Sequence, residues 1–315
     1  MRRLLPAILI LLFVHAAPTR AAEVDIGPLL ERVLDNLPDD PDERAALLER
    51  VAYLTPDAPE ASGDRVLAEA AKAPDGEWTR IIVHAYRGDI DQAVKLSRED
   101  HFGNAADVYD LVAYDALWRG NDATVRELLP ELKRQLAQVP ADEEEFYAGI
   151  AWTYERVIGL TDAEVPPGVP VQQRSIAHAS VAVSLIRRGD NEGAQKQLDI
   201  AAAVTPFADF PVTYDLAIAY AQLGDFEKAA QFADELEPEE RAMALVYAAV
   251  AHQRRGEADQ GETLLAEARA LHDSYSVDAA LGFAFTGQEI PDDASPWFIV
   301  GIAERMVDEA VLANQ

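Results

Sequence analysis

Val212–Pro238 reads VTYDLAIAYAQLGDFEKAAQFADELEP, and its spacing decides the fold. Leu216, Ala217, Tyr220 and Leu223 recur at intervals of three and four, the period of one helical face. Gly224 can take the left-handed conformation that ends a helix, and Asp225 can cap the next one. Ala229, Ala230 and Ala233 then leave room for a second helix to lie close to the first. The stretch therefore predicts a helix, a tight turn and an antiparallel helix. One such hairpin cannot bury its own apolar face, so it requires neighbours of the same kind.

The turn recurs on both sides of this stretch. Arg87-Gly88-Asp89, Arg119-Gly120-Asn121, Arg188-Gly189-Asp190, Leu223-Gly224-Asp225 and Arg255-Gly256-Glu257 follow one another at steps of 32, 69, 35 and 32 residues. The long step is close to two periods, with a degenerate turn near Gly159 to fill it, and Gly287 lies 31 residues beyond Gly256. A fixed interval in this range marks an array of helical hairpins.

With these residues the chain resembles the tetratricopeptide-repeat family. Leu216, Ala217, Tyr220, Gly224, Asp225 and Ala229 stand where that pattern wants large, small, aromatic, glycine, acidic and small residues. Val181, Ala182, Leu185, Ala194, Ala201 and Pro206 match likewise around Gly189. The Gly256 unit keeps Ala249 and Ala268 but has Gly261 where alanine is usual. Around Gly88 the pattern keeps Ala93, and around Gly120 it keeps Ala113 but has Val125. The similarity is fullest over residues 176–272 and thinner over 77–135. It implies an all-α fold, a right-handed α-solenoid of six or seven antiparallel hairpins with non-repeat helices at both ends. It also implies a non-catalytic scaffold that binds a protein or peptide on the concave face of its first helices.

The two ends read differently from the array. Met1-Arg2-Arg3, the apolar run Leu4–Val14 and the small-residue stretch Ala16–Ala22 have the layout of a secretory signal over residues 1–22, with cleavage after Ala21 or Ala22. Residues 23–75 are expected to form helices at Ile26–Leu37, Pro41–Leu54 and 58–73, the last broken by Ser62-Gly63. Degenerate hairpins follow over 76–164, and the proline-rich VPPGVPV sits within a loop at 165–172, where prolines forbid a helix. Regular hairpins then occupy 173–290, and a helix within 291–315, Trp297 to Leu312, is expected to cap the last repeat.

Composition narrows the chemistry. Cysteine is absent, which excludes disulfides, thiolate metal sites and a cysteine nucleophile. Together with the signal this points to a periplasm, or to the extracellular space. Asp plus Glu is 56 against 27 Lys plus Arg, a formal charge of −29. Loss of Arg2, Arg3 and Arg20 with the signal makes it more negative still. That field repels nucleic acid and favours a basic partner or simple solubility. No HExxH, GxSxG, SxxK, P-loop or GxGxxG motif occurs, so neither a metal nor a cofactor is expected. The acidic runs at Asp39–Glu43 and Glu143–Glu145 suit helix starts rather than calcium loops. Both Arg-Gly-Asp triplets are hairpin turns.

Aligning the hairpins on their turn glycines yields two candidate surfaces. Trp78, Ile82, Tyr86, Tyr114, Trp118, Ile176, Val183, Tyr214, Ile218, Val246 and Val250 fall near the concave face as a peptide groove, or else as ordinary core between hairpins. Arg87, Arg119, Arg188 and Arg255 share one repeat position and would line up as a basic edge for an acidic group of a partner. The competing explanation is that arginine near a helix carboxy terminus is favoured by ~0.3–1 kcal/mol through the helix dipole. Two other functions stay open: an enzyme or accessory subunit acting on cell-wall or glycan material, and a structural subunit of an envelope assembly.

Overall fold

The computed structural model describes residues 24–73, 76–99, 104–140, 143–207, 212–287 and 289–313. The signal-like start lies outside the described residues. Every regular element among the described residues is helical, so the protein is all-α. It divides into two compact units, one of residues 24–139 and 285–313, the other of residues 140–284.

In the first unit the chain runs through α1 (Gly27–Asp35), α2 (Pro41–Ala52), α3 (Glu60–Ala70), α4 (Glu77–Tyr86), α5 (Ile90–Glu99), α6 (Ala105–Trp118) and α7 (Asp122–Leu136). Asp40 starts α2 by accepting from the backbone N–H groups of Asp42 and Glu43, at 3.1 and 2.9 Å. The expected break at Ser62-Gly63 does not occur, and α3 runs through both residues. Gly63 serves a different need: a Cβ there would come within 2.6 Å of the Arg87 guanidinium. Hairpins α4/α5 and α6/α7 follow, and α2, α4 and α6 pack in sequence.

The second unit begins with α8 (Glu144–Tyr147) and α9 (Ile150–Val157), then α10 (Val171–Arg187), α11 (Asn191–Val204), α12 (Thr213–Leu223), α13 (Phe226–Ala233), α14 (Pro238–Arg254), α15 (Ala258–Leu271) and α16 (Tyr275–Phe283). Three hairpins, α10/α11, α12/α13 and α14/α15, stack through α10, α12, α14 and α16. Their core joins Ile218, Tyr214, Leu245, Tyr247, Val250 and Phe283, with Ala217, Ala249 and Ala268 at the close approaches. Each large apolar side chain removed from water there contributes roughly 1.5–3 kcal/mol.

Gly88, Gly120, Gly159, Gly189, Gly224 and Gly256 all have positive φ, between 70° and 92°. At each turn the residue after glycine donates its N–H five residues back, as in Asp190 to Leu185 at 2.9 Å and Asp225 to Tyr220 at 2.9 Å. That bond satisfies a carbonyl the helix end would leave bare. The same residue then caps the next helix, with Asn121, Asp190 and Asp225 accepting from N–H groups three residues on. Gly159 makes this turn, yet no helix follows it before α10. Gly287 does not make it, since its φ is not positive and the next helix starts only at Pro296.

The last helix, α17 (Pro296–Ala313), has its partners in α1 and α2 of the first unit. Its expected place was on the last repeat. Chemistry at its buried face explains the pairing: the Trp297 indole donates to Glu43 at 2.8 Å, and Glu304 receives the Arg50 guanidinium. No described helix is long and apolar enough to cross a membrane.

Candidate functional site

In the first unit the aromatic residues expected in a groove gather around α2, α4 and α6. Tyr86 and Ile82 are buried, while Trp78, Tyr114 and Trp118 stay partly exposed. Tyr53, at the end of α2, lies 6.2 Å from Tyr86 ring to ring. Burial pushes the Tyr53 hydroxyl far up, Glu49 adds to this, and a hydrogen bond with Trp78 opposes it. Trp78 at the start of α4, and Tyr114 and Trp118 towards the end of α6, thus keep part of their rings exposed on two neighbouring first helices.

The two repeat-position arginines of this unit are engaged in ion pairs within it. The Arg87 guanidinium donates to Asp64 at 2.8 Å and to the Glu60 carbonyl at 2.7 Å. Arg119 has only 6% of its side chain exposed and grips Asp57 with two bonds of 3.0 and 2.7 Å. It also lies 3.5 Å from Asp115, which is fully buried and has its second oxygen unpartnered. Burial holds the Asp115 carboxyl well above the usual range, against the pull of Arg119. Both arginines therefore bind earlier parts of the same unit, Arg87 to α3 and Arg119 to Asp57 just before α3. A basic edge open to a partner does not form at these two positions.

A cleft of about 350 Å³ in this unit is lined by residues of α5, α6 and α7. Tyr109 lies within it among Asp91, Glu131, Arg98 and Arg134. Burial, followed by the charge of Glu131, raises the Tyr109 hydroxyl.

In the second unit the candidate groove residues belong mostly to the core. Val183, Tyr214, Ile218, Val246 and Val250 are buried, and only Ile176 keeps part of its surface. Every residue of α12 from Thr213 to Ala221 is buried, because α10, α11, α13 and α14 surround it. Arg188 is partly exposed at the end of α10. Arg255 is exposed but engaged: it donates to the Leu223 carbonyl at 2.8 Å and lies 5.7 Å over the Phe226 ring. Phe226 in turn stacks on His252 at 3.6 Å, and His252 Nδ1 lies 2.6 Å from Glu257. Arg255 thus reaches back to the previous hairpin, α12/α13.

Two features escape a reading by repeat register. Asp215 on α12 is 3% exposed with both carboxylate oxygens unpartnered, and burial, then the charge of Glu240, lifts its pKa far above normal. The second feature lies where α9 ends. Residues 161–170 take the place of a second helix, and Val165 and Val169 of this loop are buried. The Trp152 indole holds the loop through the Ala163 carbonyl at 3.0 Å. Beside it a cleft of about 470 Å³ is lined by Arg156, Asp162, Val181, Leu185, Lys196 and Gln197, among others. His178, behind Gln197 at 2.6 Å, is held below its usual pKa by burial. The prolines at 166, 167 and 170 were the sequence signal for this lapse.

A family model described as tetratricopeptide repeat matches residues 211–235 and 242–267, the segments of α12/α13 and α14/α15. No curated protein and no solved structure matches the chain.

Proposed function

Given that the chain is a tetratricopeptide-like helical-hairpin protein, we propose that it is a scaffold holding a protein or peptide partner along its first helices. The repeat match carries this reading, because stacked hairpins of this kind present an extended surface to other chains. Trp78, Tyr114 and Trp118 are the proposed contacts in the first unit, since partly exposed aromatic rings supply large contact area at low entropic cost. Such repeats typically bind rather than catalyse, so the proposed role needs neither metal nor cofactor. The basic start, the apolar run Leu4–Val14 and the small residues before Glu23 support export, with the periplasm as the destination.

In-cell crosslinking of the tagged full chain, followed by mass spectrometry of each cell fraction, tests both parts. The expected result is a reproducible protein partner in the envelope fraction, reduced when Trp78→Ala and Trp118→Ala are combined in a chain that still folds. A chain that captures no protein counts against the scaffold. The exported form is expected to begin after Ala21 or Ala22, and an intact Met1 in the cytosol counts against export.

A further inference from the structure

We propose that the cleft lined by α5, α6 and α7 binds a neutral carbohydrate, a hydroxyl-rich ring without net charge. In the second unit the space between two successive second helices is bridged. There Lys228 of α13 donates to Asp199 of α11 at 2.7 Å, and the Tyr220 hydroxyl of α12 donates to the same carboxylate at 3.2 Å. Between α5 and α7 the same kinds of side chain occur without the bridge. Tyr109 of α6 lines the cleft with Asp91, Lys95 and Arg98 of α5 and with Glu131 and Arg134 of α7. Arg134 pairs with Glu131 on its own helix, its Nε donating at 2.7 Å. Among the described residues no hydrogen bond or ion pair joins α5 to α7, and Lys95, Arg98 and the Tyr109 hydroxyl each lack a bonded partner. Groups that close the groove in one unit thus stand open to a visitor in the other.

The lining selects the ligand. Asp91, Glu99 and Glu131 line the cleft together with Lys95, Arg98 and Arg134, so its charges cancel within a chain of net charge −29. An ion of either sign gains little net attraction there. A sugar hydroxyl both donates and accepts, so it can bond to carboxylate, guanidinium and phenol alike. Gln135, 5% exposed, adds a fixed amide: its Nε2 donates to Glu131 at 2.7 Å, and its carbonyl oxygen is bonded to no described residue. The Tyr109 ring, Val94 and the aliphatic stems of Lys95 and Arg98 offer apolar surface to the C–H face of a sugar. The volume, about 350 Å³, lies at the small end of the roughly 300–1,000 Å³ usual for ligand pockets and suits about one or two sugar rings.

This site goes beyond the scaffold role and stands without it. Calorimetric titration of the full chain tests it, with maltose, cellobiose and chitobiose as neutral probes. Deacetylated chitobiose and a uronic-acid disaccharide are the charged counterparts. The expected result is saturable binding of at least one neutral disaccharide, tighter than that of either charged one. Arg98→Ala, at an exposed residue, should weaken it about tenfold, and Tyr109→Phe, which keeps the ring and removes the hydroxyl, about threefold. Arg269→Ala, equally exposed on α15, should leave it unchanged. A wild-type melting temperature for Arg98→Ala separates lost binding from lost fold. No saturable binding of any neutral disaccharide overturns the site. So does tighter binding of a charged one, or equal affinity in the wild type and a folded Arg98→Ala chain.

Discussion

Removing Arg50 should cost more stability than any surface substitution in this chain. Glu304 lies on α17 with 1% of its side chain exposed, and its carboxylate takes both Nε and Nη2 of Arg50, the latter at 2.8 Å. Burial raises the Glu304 pKa, and Arg50 is the counter-charge that opposes the rise. Arg50→Met leaves a carboxylate buried without a partner, a loss of about 3–5 kcal/mol. With about 2–4 °C per kcal/mol, the melting temperature should fall on the order of 10 °C. The sign of the pH dependence follows from the raised pKa. A carboxyl that holds its proton more tightly when folded destabilises only above its unfolded value, about 4.3. Acidification from pH 7 towards that value should therefore restore much of what Arg50→Met loses. Combining it with Glu304→Leu should recover most of the stability at neutral pH, because a buried ion pair replaced by apolar groups is often neutral or better. Urea unfolding monitored by circular dichroism at several pH values measures all three. A loss below about 1 kcal/mol for Arg50→Met, or one that does not shrink on acidification, would refute the buried pairing of α17 with α2.

Asp215→Asn should stabilise the protein at pH 7 by at least about 1 kcal/mol, since it removes a buried carboxylate with two unpartnered oxygens. The folded pKa is raised, so this gain should vanish below about pH 4, where the aspartic acid is protonated in both states. Gly224→Ala should be more costly than Gly189→Ala. Both have positive φ, worth roughly 1–2 kcal/mol to a residue with a side chain. Only at Gly224 would a Cβ also meet the Arg255 guanidinium, at 2.0 Å, whereas nothing lies within 4 Å at Gly189. Denaturant midpoints of the two variants decide this, and equal losses would mean Arg255 does not fill that space. Arg119→Met should destabilise by about 3 kcal/mol or more through Asp57 and Asp115. A folded Arg119→Met chain of unchanged melting temperature would restore the arginine to a surface role.

The hairpins were legible because their signal is local. A glycine with a polar capping residue after it, placed at the end of an apolar stripe, specifies the left-handed turn at Gly88, Gly120, Gly189, Gly224 and Gly256 without help from distant residues. The arginine before four of these glycines was visible too, but its partner was not. Arg87 finds its acid at Asp64 and Arg119 at Asp57, in segments whose distance from the turn follows no repeat register. Still less could spacing reveal α17, whose contacts with Glu43 and Arg50 join residues 254 positions apart. An apolar helix near the carboxy terminus suits any open apolar face, and only the match of Glu304 to Arg50 and Trp297 to Glu43 selects α1 and α2.

The groove was illegible for a different reason. A first helix inside a stack is covered on one side by its own second helix and on others by neighbouring hairpins, so both apolar core and apolar groove appear with helical period. On α12 the coverage is complete from Thr213 to Ala221, and Tyr214 and Ile218 sit inside it. Regular repeats therefore tend to consume their apolar residues in stacking. On the proposed scaffold reading, recognition falls to positions where the stack leaves aromatic or apolar surface uncovered. Trp78, Tyr114 and Trp118 keep part of their surface uncovered on the first unit. On the proposed scaffold reading, the partly exposed aromatic residues of the thinner repeats around Gly88 and Gly120 are therefore better placed to meet a partner than the fully covered first helix α12 of the regular hairpins.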